Sequence, residues 1–235
     1  MVLSTLNPID YLVIGHITQD LLDDGTYLHG GTVSYSGLTA AALGQRVGIL
    51  TSCAPDLDLG VYSGMQVRAL PAARNTVFRN ISTDAGRLQY MYHSARRLDS
   101  TAVPEEWKLT PIVHLGPVAA EIDPGIYTAF PRSLICLTSQ GWLRSFAPDG
   151  RVFPVDWTYS PDLLRAAHAV VLSLEDLHND ERKVEHWAEL CSLLVVTQSD
   201  QGARVYWNGD VRRFAAPKVE LVEDTGAGDI FAACF

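Results

Sequence analysis

The chain has 235 residues, 47% apolar and 19% charged, with a formal net charge of −9 at pH 7, and is long enough for one large domain. The acidic balance excludes nucleic acid as the main partner, and no apolar run reaches the roughly 18 residues that a membrane span needs. With four isolated cysteines and no Lys or Arg before Arg46 to start a secretory leader, we expect a cytoplasmic protein without a membrane partner.

Six short apolar runs, rich in β-branched residues and bounded by turn residues, predict buried strands. They are YLVIG (11–15), VGILT (47–51), IVHLG (112–116), LICLT (134–138), AVVLS (169–173) and LLVVT (193–197). Helical spacing appears between them in SYSGLTAAALG (34–44) and NDERKVEHWAEL (179–190). Strands that alternate with helices predict an α/β fold with a largely parallel sheet covered on both faces. In such sheets ligands gather at the carboxyl ends of the strands.

Two segments interrupt this alternation. Residues 20–33 offer only a brief strand around Tyr27, which predicts a very small lid. Residues 76–93 predict a hairpin with a turn from Asp84 to Gly86, beside the substrate cleft. No internal repeat or low-complexity linker separates these segments from the rest, so the sequence predicts a single domain over residues 1–235.

The segment EDTGAGDIFAACF (223–235) points to phosphate chemistry. Gly226, Ala227 and Gly228 have almost no side chain, so their backbone N–H groups can approach an anion, and a helix that begins there adds its own N-terminal donors. In the first turn of that helix, Asp229 is placed to accept a proton from a hydroxyl that attacks a phosphoryl group. Taken alone, the same residues also fit a plain turn followed by an acidic helix start.

Two motifs together resemble a known family. LVEDTGAGDIFAA resembles the C-terminal signature DTxGAGDxF of the ribokinase (PfkB-type) carbohydrate kinases, and GGTVSYSGLTAAALGQRVGILTS resembles their N-terminal glycine pair, helix and strand. The resemblance covers residues 11–235, and GGTVSYS, QGWLR (140–144) and VVLSLED (170–176) look most like the inositol-kinase-like branch. It implies a ribokinase-like three-layer sandwich with a mostly parallel central sheet and a minimal β lid. It also implies ATP-dependent phosphorylation of a sugar or polyol hydroxyl, with Asp229 as base and residues 226–228 as anion hole.

On the substrate side, the resemblance assigns four residues. Asp20, in GHITQD, matches the acid after the first strand that holds substrate hydroxyls, a task suited to a carboxylate because it accepts from two neighbouring hydroxyls. Gly30 and Gly31 match the glycine pair that lets the substrate ring approach the backbone. Tyr35 stands where ribokinases usually have a substrate-binding Asn, which argues against ribose itself as the acceptor. Without the resemblance, Asp20 equally fits a turn or helix cap.

On the nucleotide side, TQSDQG (197–202) stands where the family often has TxGxxG after a strand. Thr197 and Gly202 match that pattern, whereas Ser199 replaces a glycine, so the backbone turn must tolerate a side chain. Thr225 of the C-terminal signature is assigned to the nucleotide as well.

The metal-binding motif is altered. SLED (173–176) occupies the family's NxxE position, with Ser173 for Asn and Asp176 for Glu. Asp176 keeps a hard carboxylate oxygen suited to Mg²⁺ or its water shell, although it equally fits a surface acid or helix cap. Glu223 replaces the Asp of the signature at a position linked to a monovalent cation in some members, which leaves potassium activation open.

These departures keep a second class of function in view, a non-catalytic or truncated ribokinase-like protein that binds a small metabolite. A dinucleotide oxidoreductase is disfavoured because GHITQD lacks the GxGxxG pattern. In the resembling family the final helix continues and later elements complete the adenine pocket. We therefore expect that the family's C-terminal part is missing from these 235 residues and that the chain alone binds ATP weakly. A homodimer in which two lids pair is left open.

Overall fold

The computed structural model describes residues 6–83, 86–220 and 222–235. The strands are β1 Tyr11–Ile14, β2 Thr18–Leu21, β3 Tyr27–Gly30, β4 Val47–Cys53, β5 Gln66–Pro71, β6 Thr76–Thr83, β7 Gly86–His93, β8 Ile112–Leu115, β9 Leu134–Thr138, β10 Arg144–Phe146, β11 Val152–Pro154, β12 Ala169–Ser173, β13 Leu193–Thr197, β14 Ala203–Trp207 and β15 Asp210–Phe214. The α-helices are α1 Thr32–Ala42, α2 Asp162–Ala166, α3 Glu181–Leu190 and α4 Ala227–Cys234.

A nine-stranded sheet forms the centre of the fold, in the order β15-β14-β13-β12-β9-β8-β1-β4-β5. All neighbours from β13 to β5 are parallel, and β14 and β15 are antiparallel at one edge. The six predicted strands are confirmed within two residues at each end. Their continuous apolar runs follow from burial on both faces, which is characteristic of parallel sheets.

Helices cover both faces of this sheet, which confirms the predicted three-layer arrangement. On one face, Leu163 and Leu164 of α2 and Val184 and Trp187 of α3 belong to the larger apolar core. On the other face, α1 packs with β1 and β4, and Ala232 of α4 packs beside β12 and β13. The predicted helices are both present, with α1 beginning two residues earlier than expected.

The antiparallel edge was not predicted. β14 and β15 are joined by Asn208 and Gly209, whose φ angles of 53° and 77° are both positive. An Asn-Gly pair between two apolar runs is a strong signal for such a two-residue hairpin, because both residues tolerate positive φ. The short hairpin of β10 and β11 and the edge strand β5 were not predicted either.

A second sheet has the order β3-β2-β6-β7. The segments 20–33 and 76–93, which were predicted as separate pieces, are joined in it because β2 runs parallel to β6, with Thr18 opposite Thr76. The prediction of a minimal β lid therefore underestimated this sheet, because it has four strands. The local pattern of β2 could not show this, because its partner is distant in sequence. The predicted turn from Asp84 to Gly86 lies partly outside the described residues.

Among the described residues, no helix is long and apolar enough to cross a membrane.

Candidate active site

The carboxyl ends of the parallel strands bring the predicted motifs to one edge of the central sheet. β12 ends at Ser173 and β13 ends at Thr197, the first residues of the SLED and TQSDQG segments. The last helix, α4, packs against both α1 and β12, so its first turn lies beside this edge. This is the position at which open α/β sheets bind ligands.

Asp229 is held at two points by α1. The Thr32 hydroxyl donates a hydrogen bond of 2.7 Å to its Oδ1, and the Ser36 hydroxyl donates one of 2.9 Å to its backbone oxygen. Thr32 and Ser36 are four residues apart and therefore lie on the same face of α1. Both the side chain and the backbone of Asp229 are thus oriented by the helix that follows the glycine pair.

The environment of Asp229 makes its carboxyl group a weaker acid than usual. Burial raises its pKa to about 6, while the Thr32 hydrogen bond and the Arg144 charge oppose this rise and the Asp176 charge adds to it. A base works best when its pKa lies near the operating pH, because it is then ionised yet still a good proton acceptor. The raised pKa is therefore suited to general base catalysis.

This raised pKa has a consequence for stability. The folded state disfavours the ionised carboxylate, so Asp229 lowers stability above pH 6 and ceases to do so as pH falls through about 6 towards 4. We expect Asp229→Asn, which keeps the acceptor for Thr32, to raise the free energy of unfolding at pH 8 by about 1 to 3 kcal/mol. Urea unfolding at pH 8 and pH 4 measures this. A gain at pH 4 equal to that at pH 8 would contradict the assigned burial effect.

The glycine-rich turn before α4 has a specific geometry. Gly226 has φ 78°, in the left-handed region, and a Cβ there would lie 2.4 Å from the ring of Tyr35. Tyr35, predicted on the substrate side, is therefore packed against the start of α4, and Gly226 is needed both for its backbone conformation and for this contact.

The amide donors of this turn differ in availability. The Ala227 N–H donates to the Asp224 carbonyl at 3.0 Å, and the first intrahelical bond runs from Ile230 N–H to the Gly226 carbonyl at 2.9 Å. The amides of Gly228 and Asp229 precede that first bond and have no acceptor within the helix. Of the predicted set 226–228, the Ala227 amide is therefore engaged within the turn, and the anion hole itself stays a prediction.

Asp20 lies in the second sheet, close to the glycine pair. Its Oδ1 accepts a hydrogen bond of 3.2 Å from the Thr18 hydroxyl, and a Cβ on Gly30 would lie only 2.6 Å from its Oδ2. Gly31 has φ 83°, and a Cβ there would lie 2.7 Å from the backbone oxygen of His16. Gly31 is required by its conformation and by this backbone contact, whereas a Cβ on Gly30 would displace the Asp20 carboxylate. Gly31 leads directly into Thr32, the hydrogen-bond donor to the Asp229 carboxylate. The glycine pair beside Asp20 is therefore linked to Asp229 through the hydrogen bond that Thr32 donates.

Asp176 and Ser173 are joined by two reciprocal hydrogen bonds. The Ser173 N–H donates to Asp176 Oδ2 at 2.9 Å, and the Asp176 N–H donates to Ser173 Oγ at 3.1 Å. Gln140 Nε2 lies 3.4 Å from the other carboxylate oxygen. The described residues contain no group of three His, Cys, Asp or Glu side chains that could hold a metal ion. A single carboxylate is nevertheless compatible with Mg²⁺, which keeps several waters and takes further ligands from phosphates.

The TQSDQG turn follows β13. Thr197 Oγ1 donates to the Leu172 carbonyl at 3.4 Å, and Ser199 has φ 49°. The prediction that this turn must tolerate a side chain in place of glycine is confirmed, because Ser199 occupies the left-handed region. Gly202 has φ 92°, and a Cβ there would lie 1.9 Å from the Phe214 carbonyl oxygen. Gly202 therefore fits closely against the end of β15.

Thr225 and Glu223 form a tight turn before α4. The Thr225 N–H and hydroxyl both donate to Glu223 Oε1, at 2.8 and 2.5 Å. This pair orders the backbone that leads into Gly226. The Glu223–Thr225 turn is separate from the turn that follows β13, so Thr225 lies on the α4 side of the site.

Three residues near Asp229 were missed in the sequence. Thr32 and Ser36 carried a signal, because two hydroxyls one helical turn apart follow the glycine pair. Arg144 lies after β9 and its Nη1 donates to the Val118 carbonyl at 3.3 Å. Its charge lowers the pKa of Asp229, against the effect of burial. An Arg shortly after a predicted strand is a weak signal that only the folded arrangement makes meaningful.

Comparison with known proteins supports the predicted resemblance. The model of the pfkB family of carbohydrate kinases matches residues 164–235. A fructokinase from Escherichia coli is 30% identical over 152 residues, which cover 58% of this chain and 48% of the fructokinase. The chain thus matches about half the length of this curated relative.

Solved structures share the fold. A pyrophosphate-dependent kinase of the ribokinase family, complexed with a pyrophosphate analogue and myo-inositol, has a TM-score of 0.79 at 20% identity, covering 95% of this chain and 84% of that one. Ribokinase from Arabidopsis thaliana, complexed with ribose and ATP, has a TM-score of 0.70 at 16% identity, covering 97% and 84%. The predicted ribokinase-like α/β fold is confirmed.

Proposed function

We propose that this chain, which has the ribokinase-like fold and matches the pfkB family of carbohydrate kinases over residues 164–235, phosphorylates a hydroxyl of a sugar or polyol. The observation that carries this proposal is Asp229 at the start of α4, with its carboxylate held by Thr32 and its pKa raised to about 6. A base of this kind beside open helix-terminal amides is suited to phosphoryl transfer.

The proposed reaction begins with the acceptor bound between the second sheet and the edge of the central sheet. Asp20 accepts hydrogen bonds from its hydroxyls, and Gly30 and Gly31 let it approach the backbone. Asp229 takes the proton of the attacking hydroxyl, whose oxygen then bonds to the terminal phosphorus while the bond to the leaving phosphate breaks.

Charge on the transferred group is met by fixed donors. We assign this role to the amides of Gly228 and Asp229 and to the guanidinium of Arg144, because preorganised donors cost no reorganisation during the reaction. Mg²⁺, when bound through Asp176, would neutralise phosphate charge. We assign Thr197, Ser199, Gly202 and Thr225 to the nucleotide, with ATP as the proposed donor.

The acceptor class remains broader than one compound. The branch resemblance, together with Tyr35 at the usual Asn position, favours inositol-like polyols over ribose. One neighbour of similar fold binds myo-inositol and a pyrophosphate analogue, and another binds ribose and ATP. Both donors therefore belong in the test.

The second candidate is a binding protein without turnover. It is favoured by Asp176, which is engaged with Ser173 in a reciprocal pair that is complete without metal. The intact Asp229 site favours the kinase, since a binding protein has no need for a base with a raised pKa.

The decisive experiment offers ATP or pyrophosphate, with Mg²⁺, to the purified chain together with inositols, pentoses, hexoses and nucleosides. Phosphorus NMR measures the phosphorylated product directly, and parallel reactions with EDTA test the metal requirement. We expect a phosphomonoester with at least one polyol or sugar. Saturable binding of an acceptor by calorimetry, with no product from either donor, would instead support the second candidate.

Further proposals concern ions, assembly and location. Replacing K⁺ by a bulky organic cation in the same assay tests whether Glu223 supports activation by a monovalent cation. Light scattering tests whether two copies form a homodimer through their second sheets. A cytoplasmic location is likewise proposed and is tested by cell fractionation.

Asp20→Ala is expected to weaken acceptor binding by about 10- to 150-fold, because a charge-assisted hydrogen bond worth about 1.5 to 3 kcal/mol is lost. Titration calorimetry with the best acceptor measures the change. Asp23→Ala is the matched control, since Asp23 lies three residues further on, in the turn after β2, where it is exposed and pairs with Arg79. Equal affinity of the Asp20→Ala variant and the unmodified chain would exclude Asp20 from acceptor binding and leave it as a residue of β2 only.

A further inference from the structure

The two sheets meet at a buried polar cluster, here called the sheet joint, which consists of His16, Thr76, Arg96 and Glu121. One crossing between the sheets runs from β1 to β2, and another follows β7. His16 lies in the first crossing and is fully buried. Its Nδ1 lies 2.7 Å from the hydroxyl of Thr76, the first residue of β6, and its Nε2 lies 2.9 Å from the Arg96 carbonyl oxygen in the second crossing. One imidazole therefore joins three segments at the base of the second sheet.

The direction of these hydrogen bonds is fixed by the Arg96 carbonyl. A carbonyl oxygen can only accept, so His16 donates to it from Nε2–H, and Ser52 of β4 donates to it as well at 2.6 Å. In this tautomer Nδ1 accepts from the Thr76 hydroxyl. The Thr76 oxygen in turn accepts from the Ala95 N–H at 2.9 Å. Both ring nitrogens of His16 are thus bonded inside the joint, as burial requires.

Glu121 holds the same crossing from the side of β8. It is 1% exposed, and both of its carboxylate oxygens accept from backbone N–H groups. Oε1 accepts from His16 at 2.9 Å, whereas Oε2 accepts from Val118 at 3.0 Å and from Ala119 at 2.7 Å. A buried carboxylate is costly unless donors surround it, and here the backbone supplies those donors. Glu121 therefore ties the connection between β1 and β2 to the turn after β8.

The backbone around Glu121 completes the joint. The Leu98 N–H, two residues after Arg96, donates to the Glu121 carbonyl at 2.8 Å. Ala120 has φ 52°, in the left-handed region, which a residue with a Cβ adopts only where surrounding contacts fix it. This conformation turns the chain back, so that the Glu121 carboxylate reaches the N–H groups of the residues before it. The turn is therefore built around this one side chain.

Asp20 depends on this joint for its position. It lies on β2, four residues after His16, and β2 pairs with β6 beginning at Thr18 opposite Thr76. Both strands are therefore held where they leave the joint. Glu121 is too buried to contact an acceptor itself, so any effect that it has on binding must pass through the strands that it holds.

We propose that His16 and Glu121 are positioning residues for the acceptor. They fix the second sheet on the central sheet, and with it they fix the place of Asp20 relative to Asp229. The effect on acceptor binding rests on the proposed function, whereas the attachment of the second sheet is independent of it.

Hydrogen exchange tests the attachment. Glu121→Gln keeps the size of the side chain but turns an NH₂ group towards backbone N–H groups. The amides of β2 and β6 are therefore expected to exchange about 10-fold faster or more, while those of β12 and β13 are unchanged. Asp123→Asn is the matched control, because Asp123 also accepts a backbone N–H, from Gly125 at 2.8 Å, but does so in an exposed turn. Unchanged exchange in β2 and β6 overturns the proposal, and so does equal acceleration in β12 and β13.

Thr76→Val tests the His16 side of the joint and decides the proposal if the Glu121→Gln variant does not fold. It removes the hydroxyl that binds Nδ1, so the amides of β2 and β6 are expected to exchange about 3- to 10-fold faster. Thr110→Val is the matched control, because Thr110 is a buried hydroxyl that donates to the Trp107 carbonyl before β8. An equal acceleration in this control contradicts the role assigned to the joint.

A double-mutant cycle with Asp20 tests the effect on the acceptor. Glu121→Gln is expected to weaken acceptor binding by about 3- to 10-fold in the unmodified chain, but by less than about twofold in the Asp20→Ala background, because the loss acts through Asp20. Titration calorimetry of both single variants, the double variant and the unmodified chain measures this. Additive losses contradict a positioning role. If the unmodified chain binds no acceptor, the proposed function fails, while the exchange result still decides whether the joint holds the second sheet.

Discussion

Asp229→Asn is expected to lower the rate of phosphoryl transfer by about 10² to 10⁴-fold, because the amide cannot accept the proton of the attacking hydroxyl. The carboxamide has nearly the same shape and keeps an oxygen that can accept from Thr32, so the folded structure and acceptor binding should be kept, with stability at pH 8 raised as expected above. Single-turnover product formation, with acceptor affinity measured by calorimetry, separates the two effects. Equal turnover by variant and unmodified chain would remove Asp229 as the base.

The pH dependence supplies an independent check on the same residue. Because the base must be ionised and its pKa is raised to about 6, kcat/KM should fall as pH drops through 6. The residual activity of Asp229→Asn should lack this acidic limb. Asp224→Asn is the matched control, since Asp224 is exposed in the preceding turn, and it should retain the limb at an unchanged position.

Arg144→Ala is expected to lower kcat by about 10² to 10³-fold, because the cation that we assign to the developing phosphate charge is lost. The same change should move the acidic limb of kcat/KM to higher pH, since Arg144 normally lowers the pKa of Asp229. Steady-state kinetics between pH 5 and about pH 9 measure both effects. A lower kcat together with a shifted acidic limb distinguishes a cation at the reacting centre from a residue that only donates a hydrogen bond to the Val118 carbonyl.

Two further variants sharpen the Arg144 result. Arg144→Lys keeps the charge but not the planar donor geometry. Its acidic limb should therefore lie close to that of the unmodified chain, while its kcat should stay below that of the unmodified chain. Arg165→Ala removes an exposed Arg that pairs with Asp162 on α2 and should change neither quantity. A normal rate in Arg144→Ala would exclude the guanidinium from phosphate stabilisation.

The parts of the fold predicted correctly were those with a strong local pattern. The six apolar strands and the two longer helices were located from periodicity, because side chains buried on both faces of a parallel sheet must be apolar at every position. The family resemblance rested on glycines at close approaches, and the structure explains this at Gly31 and Gly226, where a Cβ would clash. Short-range constraints of this kind are visible in a single sequence.

The features that were missed depend on distant pairings. β2 pairs with β6, and this pairing joins two segments that had been interpreted separately. Arg144 carried only a weak signal, because its effect on the pKa of Asp229 comes from proximity in the fold and not from its neighbours in sequence.

The sequence by itself determined the α/β class, six strands of the central sheet and the choice of Asp229 as the proposed base, because hydrophobic periodicity and glycine geometry act over a few residues. The tertiary structure alone decided how strong a base Asp229 is and what holds it. Its pKa depends on burial and on Arg144 and Asp176, and its orientation depends on Thr32 and Ser36. Electrostatic and hydrogen-bonding effects depend on distance in space, so they exist only once folding has brought these separate segments together.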